Sequence, residues 1–410
     1  MKHDVIVVGA GLAGLSLALG LARQRRRVLV LDARPATPVP QATPEFDRRI
    51  YAISPASVAW LEAIRVWQNV DAARIAPVYD MRIHGDAPDL LPWLAASAPE
   101  GLHLSAYRAG VGELCHIVEE RELVRVVEGA AGFVPDIEIL RPVALATLKA
   151  GPEAATVTLA DGRSFEAALV VGADGARSWV RAAAGIEVDI TPYGQTAVVA
   201  NFHAEKPHFN CATQWFRTEP RAESDAAGGM SVLAWLPLPN QQISMVWSAA
   251  DALAAELAAL VPEDLAARVT AAGAGLLGAL RPAGACATFP LRNLRAHHQI
   301  APRVALAGDA AHVVHPLMGQ GLNLGFGDCA ALAEAFDGAR DPGEELVLRR
   351  YARARRAAVL EMHTLTHGLQ RLFSAQHPAL RALRNIGLNF TGHLPVIPGL
   401  LVQRATRMFQ

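Results

Sequence analysis

The residues most able to do chemistry in this chain are glycines at helix starts and single carboxylates just beyond strands. The richest stretch is Arg303-Val-Ala-Leu-Ala-Gly308-Asp309-Ala-Ala-His312-Val-Val-His315-Pro316-Leu-Met-Gly319-Gln320-Gly321-Leu322-Asn323-Leu-Gly-Phe-Gly-Asp328. It reads as a buried strand, an acidic turn at Gly308-Asp309, a proline-containing loop and a glycine-rich helix start. One carboxylate and a fan of backbone N–H groups therefore fall along a single extended ligand. Asp309 would accept from a sugar-like hydroxyl, Pro316 would wall one side of a ring, and the N–H groups of Gly319, Gln320, Gly321 and Leu322 would face its far edge. A helix N-terminus favours negative charge there. A plain glycine-rich connection would explain the glycines but not the whole order of residues.

A second such site opens the chain. Gly9-Ala-Gly11-Leu-Ala-Gly14 follows the β-branched run Asp4-Val-Ile-Val-Val and leads into an apolar helix. This is the spacing of a dinucleotide fingerprint. Gly9 permits the tight turn, Gly11 lets a pyrophosphate approach the backbone, and Gly14 lets helix and strand pack closely. Asp32, ending the next strand, is placed to accept from a ribose hydroxyl. A third motif, Val170-Val-Gly-Ala-Asp174-Gly175-Ala-Arg177-Ser-Trp-Val-Arg181, reads as strand, turn and helix start. Asp174 and Gly175 would lie beside the pyrophosphate, with Arg177 and Arg181 as cations for its charge. On its own it is also a common Asp-Gly turn.

The elements that must position these residues can be read around them. Val5 to Ala22 is an uncharged, mostly apolar run, but three glycines within six residues argue for strand, turn and helix over a membrane span. Residues 35–47 read as a surface loop. Ser57 to Trp67 and Gly112 to Val127 read as helices. Asp161-Gly162 signals a hairpin, and residues 192–250 alternate like an antiparallel sheet inserted between two halves of an α/β body. From Gly321 onward the pattern is helical, and the tail beyond Gln370 carries five arginines among Leu, Phe and Ile. The fold class expected is α/β: a Rossmann-like dinucleotide domain with an inserted antiparallel-sheet substrate domain and a helical C-terminal region. The cofactor domain is expected over residues 1–75, 105–185 and 285–340. The substrate sheet takes 76–104 and 186–284, and the helical region 341–410.

Composition excludes some partners. The chain has 410 residues, 52% of them hydrophobic, with 38 basic and 39 acidic side chains. Near-zero net charge leaves no electrostatic footprint for nucleic acid. Cys115, Cys211, Cys286 and Cys329 are scattered without metal-ligand spacing, which suits a reducing compartment and no metal. No secretory signal is read. A cytoplasmic location is expected, with peripheral attachment at the inner membrane as its variant.

The three motifs in this order resemble the single-component FAD-dependent aromatic monooxygenases with the para-hydroxybenzoate hydroxylase fold. Finer matches resemble one branch, the ubiquinone-biosynthesis hydroxylases: Arg49-Ile-Tyr-Ala-Ile-Ser-Pro-Ala-Ser57 with Val66-Trp67, His116-Ile-Val-Glu119, Glu205-Lys-Pro-His208, Phe289-Pro-Leu291, and Leu372-Phe-Ser374 with Ile386-Gly-Leu388. The resemblance spans essentially the whole chain. It implies that Arg49 contacts FAD, that Asp174 lies near the pyrophosphate and Asp309 on the ribitol, and that Pro316 to Asn323 lies under the isoalloxazine. A reduced flavin is anionic at its pyrimidine edge, which the helix start at Gly319 to Leu322 would favour. It further implies NAD(P)H as co-substrate and reaction with O2 through a flavin hydroperoxide. The expected reaction is ring hydroxylation of a polyprenylated phenol or quinol in ubiquinone biosynthesis.

Alternatives left open are another aromatic-ring hydroxylase or flavin-dependent reductase on the same scaffold, and a mainly structural FAD-loaded subunit of a quinone-biosynthesis assembly. The C-terminal tail would contact a membrane surface or a partner of such an assembly. Trp215, Phe216, Trp235 and Trp247 are candidate substrate walls, each also a candidate core residue. No acid or base is identified, although Tyr193, Gln195 and His203 lie in the substrate segment. The chain departs from the branch at Asp32 for Glu, at Glu120 for Asn, and at Ile64-Arg65 for Leu-Gly.

Overall fold

The computed structural model describes residues 2–36, 45–85, 102–218, 230–315 and 319–374, with side chains described through Glu361 in the last helix. Pro316 and the tail beyond Ser374 therefore lie outside the described residues. Among these residues a six-stranded sheet runs in the order Ile300–Ala301, Val304–Leu306, Leu169–Gly172, Val5–Val8, Val28–Leu31, Ile137–Leu140. All its pairings are parallel except that of the edge strand Ile300–Ala301. Val5–Val8 and Val28–Leu31 are buried at every position, as short β-branched runs in the middle of a parallel sheet must be. The apolar run from Val5 is thus strand, turn and the helix Leu12–Arg23. No described helix is long and apolar enough to cross a membrane.

A nine-stranded sheet stands beside this body. Its centre is the long strand Val188–Ala204, paired antiparallel with Gln242–Ala250 and with Ala287–Ala296. Met230–Leu238 and Cys211–Thr218 extend it. The alternation read over residues 192–250 is therefore antiparallel sheet, and the expected α/β architecture with an inserted sheet is present. Asp161-Gly162 turns the hairpin of Ala155–Leu159 with Ser164–Ala167. C-terminal to these come the helices Gly321–Phe336 and Glu345–Ser374.

Alternation along the strands decides which side chains meet which neighbour. Val198, Ala200 and Phe202 share a core with Leu233, Trp235, Met245 and Trp247, under the helices Asp251–Ala259 and Pro262–Ala272. The other face carries Ala212, Leu236 and Leu238, packed on Phe46 and on Ile50, Ala76 and Ile117 of a separate three-stranded sheet.

Two local readings are corrected. Gly112 to Val127 is not one helix: Cys115–Glu119 is a strand between Ile50–Ile53 and Ile75–Val78, and the helix is Glu120–Gly132. The β-branched Ile117 and Val118 fit the sheet, and Glu120 and Glu122 favour a helix start. Ser57 to Trp67 is also shorter as a helix, Pro55–Ala63, begun by the Ser54 side chain accepting from the Ser57 N–H. Its end explains the departure at Ile64-Arg65. Arg65 N–H donates to Glu62 O and Val66 N–H to Leu61 O, the pattern of a Schellman end. Arg65 adopts φ +58° there, a conformation that suits the glycine usual in the branch.

Candidate active site

Three loops converge at the C-terminal ends of adjoining parallel strands. They follow Val5–Val8, Leu169–Gly172 and Val304–Leu306, and hold Gly9, Asp174 and Gly308 respectively. Val5–Val8 sends its connection to a strand on one side and later chain returns on the other, so this is a topological switch point where ligands bind.

The N-terminal glycines have distinct roles. Gly9 has φ +110°, and a Cβ on it would lie 2.3 Å from Ala173 O. A Cβ on Gly14 would lie 1.9 Å from Gly9 O, so helix Leu12–Arg23 can press against the turn only without a side chain there. Around Gly11 a Cβ would meet nothing within 4 Å, which leaves room for a ligand's approach. The helix beginning at Leu12 has no side-chain cap and no acid in its first turn. Its free N–H donors suit phosphate.

Asp32 is buried and accepts from the Ala10 N–H at 2.7 Å and the Arg34 N–H at 2.7 Å, with the Arg34 guanidinium against it at 3.3 Å. Burial pushes its carboxyl up, but these bonds outweigh that and hold it below the ordinary range. Asp174 accepts from Ser178 Oγ and, at 2.7 and 3.1 Å, from the Trp179 and Val180 N–H groups. It caps the helix Trp179–Ala183 and shapes the turn, whose Gly175 has φ +80°. Arg181 is not a free cation for phosphate. It is buried and donates to Ala310 O at 2.8 Å and Ala176 O at 3.0 Å, tying the second loop to the third. Arg177 is exposed.

At the third loop, Gly308 has φ +62°, and Asp309 follows it at the surface. Its side chain reaches solvent, yet surrounding protein pushes its pKa above the ordinary value, against the pull of His312, Arg49 and Arg292. Because Asp309 is exposed to water, that penalty is smaller than full enclosure would impose. Arg49, close enough to Asp309 to feel its charge, lies 3.1 Å from Glu120, with its guanidinium 5.7 Å from the Tyr51 ring and 5.9 Å from the Phe289 ring. Tyr51 Oη donates to the same Glu120 carboxylate at 3.1 Å. The departure at Glu120 thus supplies a carboxylate that holds Arg49 in place.

The helix Gly321–Phe336 starts with no side-chain cap and no acid in its first turn. Gly319 has φ +63°, and a Cβ there would lie 3.2 Å from Ala52 Cβ. Gly321 faces open space, and Leu322 is packed against the core. Asn323 is fully buried: its Oδ1 accepts from the Ser54 N–H at 2.9 Å, and its Nδ2 donates to Ala52 O at 2.8 Å and Gln320 Oε1 at 2.9 Å. It fastens the helix start to the strand Ile50–Ile53, which carries Tyr51 and follows Arg49.

His315 leads into this loop, with Nε2 3.0 Å from Gln195 Oε1 and its ring edge-on to Tyr193 at 4.8 Å. Burial lowers its pKa to about 4, so it is neutral near pH 7. Tyr193 sits at a register shift in its strand, the kind of bulge that re-aims a side chain. His203 is exposed.

The wall candidates separate by face. Trp215, Trp235 and Trp247 pack under the helices. Phe216 is on the other face, in register through Val232, Ser248 and Ala197 with Phe289, the ring beside Arg49.

Sequence reading missed the support beneath the third loop, namely Asp328, Tyr351 and Arg355. The available signal was an acid directly after Gly325-Phe-Gly327, among the small and apolar residues of its helix, where a carboxylate requires a buried partner. Taken together, two uncapped helix starts, the open space at Gly11 and the exposed Asp309 carboxylate fit an extended dinucleotide with a sugar-like linker.

Comparison with known proteins agrees with this geometry. Residues 2–366 match the model of the FAD binding domain family. The chain is 32% identical over 407 residues to the ubiquinone hydroxylase UbiL of Rhodospirillum rubrum, covering 98% of this chain and 89% of that protein. It is 33% identical to the 3-demethoxyubiquinol 3-hydroxylase of Escherichia coli, over 94% of this chain and 93% of that one. Human ubiquinone biosynthesis monooxygenase COQ6 is 30% identical, over 95% and 89%. In fold alone it is similar to p-nitrophenol 4-monooxygenase PnpA of Pseudomonas putida, with a TM-score of 0.75 at 20% identity over 99% of this chain and 98% of that one. The chain therefore belongs to the FAD-binding monooxygenase family, on its ubiquinone-biosynthesis hydroxylase branch.

Proposed function

We propose that this protein hydroxylates the aromatic ring of a polyprenylated phenol or quinol in ubiquinone biosynthesis. One oxygen atom of O2 enters the ring, the other leaves as water, and NAD(P)H supplies the two electrons. The observation that carries this reading is that similarity to ubiquinone-pathway hydroxylases runs through both the cofactor loops and the inserted sheet. FAD, when bound, supplies the hydride acceptance and O2 activation.

The chain's own residues would hold and orient the reactants. Gly9, Gly11 and the helix start at Leu12 would take the pyrophosphate, and Asp32 a ribose hydroxyl once Arg34 yields. Asp174 and Gly175 would shape the neighbouring loop. Gly308 and Asp309 would take the ribitol, and Arg49, steadied by Glu120 and Tyr51, would meet the cofactor from the opposite wall. Gly319, Gln320, Gly321 and Leu322 would present N–H groups to the flavin's pyrimidine edge, with Pro316 beside the ring and Asn323 fixing the helix start. The substrate ring would lie against the sheet face bearing Phe216 and Phe289, where exclusion of water limits wasteful release of peroxide. The basic, apolar tail would contact a membrane surface or an assembly partner.

Deletion of the gene from its host tests the pathway. The quinone pool, profiled by mass spectrometry, should lose ubiquinone and accumulate a prenylated precursor lacking one ring oxygen. An unchanged ubiquinone pool in a host without a second such hydroxylase would refute the assignment.

A further inference from the structure

The Gly308-Asp309 turn is gripped from beneath by the C-terminal helix. We propose that Asp328, Tyr351 and Arg355 are positioning residues that make FAD binding and the seating of that helix mutually dependent. The proposal rests on reading this turn as the cofactor's ribitol site.

Asp328 is fully buried in the helix Gly321–Phe336. A buried carboxylate is tolerated only when paired and hydrogen-bonded. Its Oδ2 accepts from the Gly308 N–H at 2.8 Å and lies 2.7 Å from His312 Nε2, while its Oδ1 accepts from Arg355 Nε at 2.7 Å. One carboxylate therefore holds the turn with one oxygen and the C-terminal helix with the other. The fit depends on a missing side chain, because a Cβ on Gly327 would lie 2.8 Å from Arg355 Nη2. That nitrogen also donates to Leu324 O at 3.1 Å.

One helical turn earlier, Tyr351 Oη donates to Leu306 O at 2.7 Å. Tyr351 and Arg355 lie four apart on one helix face, and both are buried. The helix thus engages the strand just before the turn directly, and the turn itself through Asp328. Lifting it would leave the buried Asp328 carboxylate without its arginine and loosen the group that holds the Gly308 N–H. A half-satisfied buried network is costly, so helix and turn hold or release together. Linkage is reciprocal: a ligand that favours the seated turn favours the seated helix by the same factor.

The test uses the full-length protein stripped of flavin. FAD affinity is measured by fluorescence titration, and hydrogen exchange of peptides within 345–361 is followed with and without FAD. FAD should slow exchange in the wild-type helix. Arg355→Ala should weaken FAD by about fivefold or more, the lower range of such couplings, and remove the FAD-dependent protection. Arg355→Lys should restore only part, since an ammonium cannot span Asp328 and Leu324 O as the guanidinium does. Arg349→Ala, which breaks an exposed pair with Glu345, should change neither readout.

A folded Arg355→Ala protein with wild-type FAD affinity would overturn the coupling, as would wild-type helix exchange indifferent to FAD. If Arg355→Ala does not fold, the wild-type exchange result decides alone. Retained FAD affinity in Asp309→Ala would instead remove the ribitol reading on which the coupling rests.

Discussion

Gly14→Ala is expected to give a protein with little bound flavin and a lower melting temperature, whereas Gly11→Ala should lose flavin without losing stability. The contrast follows from what each Cβ would meet. At Gly14 it would sit 1.9 Å from Gly9 O, far inside contact distance. The helix must then back away from the Gly9 turn, which we propose cradles the pyrophosphate. Overpacking of this kind costs about 1–3 kcal/mol, and here the displaced atoms are backbone. At Gly11 the Cβ would project into open space, and the backbone (φ −84°, ψ −176°) suits alanine. The flavin-free protein should tolerate it, but the methyl would occupy the ligand's path. Flavin-to-protein absorbance ratios with thermal unfolding of both apoproteins check the pair. Equal melting temperatures for the two variants would contradict the packing role of Gly14.

Asp309→Ala is expected to weaken FAD by about 10- to 100-fold, the loss of one charge-assisted hydrogen bond of about 1.5–3 kcal/mol. The folded apoprotein should be no less stable at neutral pH, and the sign comes from the raised carboxyl pKa. A group whose pKa is raised on folding favours the folded state while protonated. That contribution is lost as pH rises from the ordinary carboxylate value through the raised one. At pH 7 the charge therefore opposes folding and is retained for the ligand. Wild-type FAD affinity should accordingly fall as acid protonates Asp309, beginning above the ordinary carboxylate range, while the alanine variant lacks this dependence. Titration of FAD into both apoproteins across pH measures it. A wild-type profile matching that of Asp309→Ala would show that another group binds the ribitol.

The cofactor loops were legible because three glycines at fixed spacing between a β-branched strand and an apolar helix meet a narrow set of backbone demands. Gly9 has the left-handed backbone and Gly14 the close approach that their positions require, and the β-branched strands before them read directly. The residues that hold those loops were less legible, since their partners are distant in sequence. Arg181 looks like a phosphate cation beside Asp174, but its partner is Ala310 O, 129 residues on. Asp328 gains its role only from Arg355 and Gly308. The tryptophans show a different limit. Alternation gives two faces for Trp215, Trp235 and Trp247, but the sequence does not say which face the helices Asp251–Ala259 and Pro262–Ala272 will cover. Cys115–Glu119 reads as helix because its β-branched residues run straight into an amphipathic helix, and its pairing strands lie about 40 residues or more away.

Turnover under isotopically labelled O2 decides whether this FAD-binding chain inserts oxygen into a prenylated ring. Purified FAD-loaded protein, NAD(P)H and a short-chain prenylated phenol should yield a product carrying one labelled oxygen atom, in step with the NAD(P)H consumed. NAD(P)H oxidation that ends wholly in hydrogen peroxide, with no labelled ring product at saturating phenol, would contradict it.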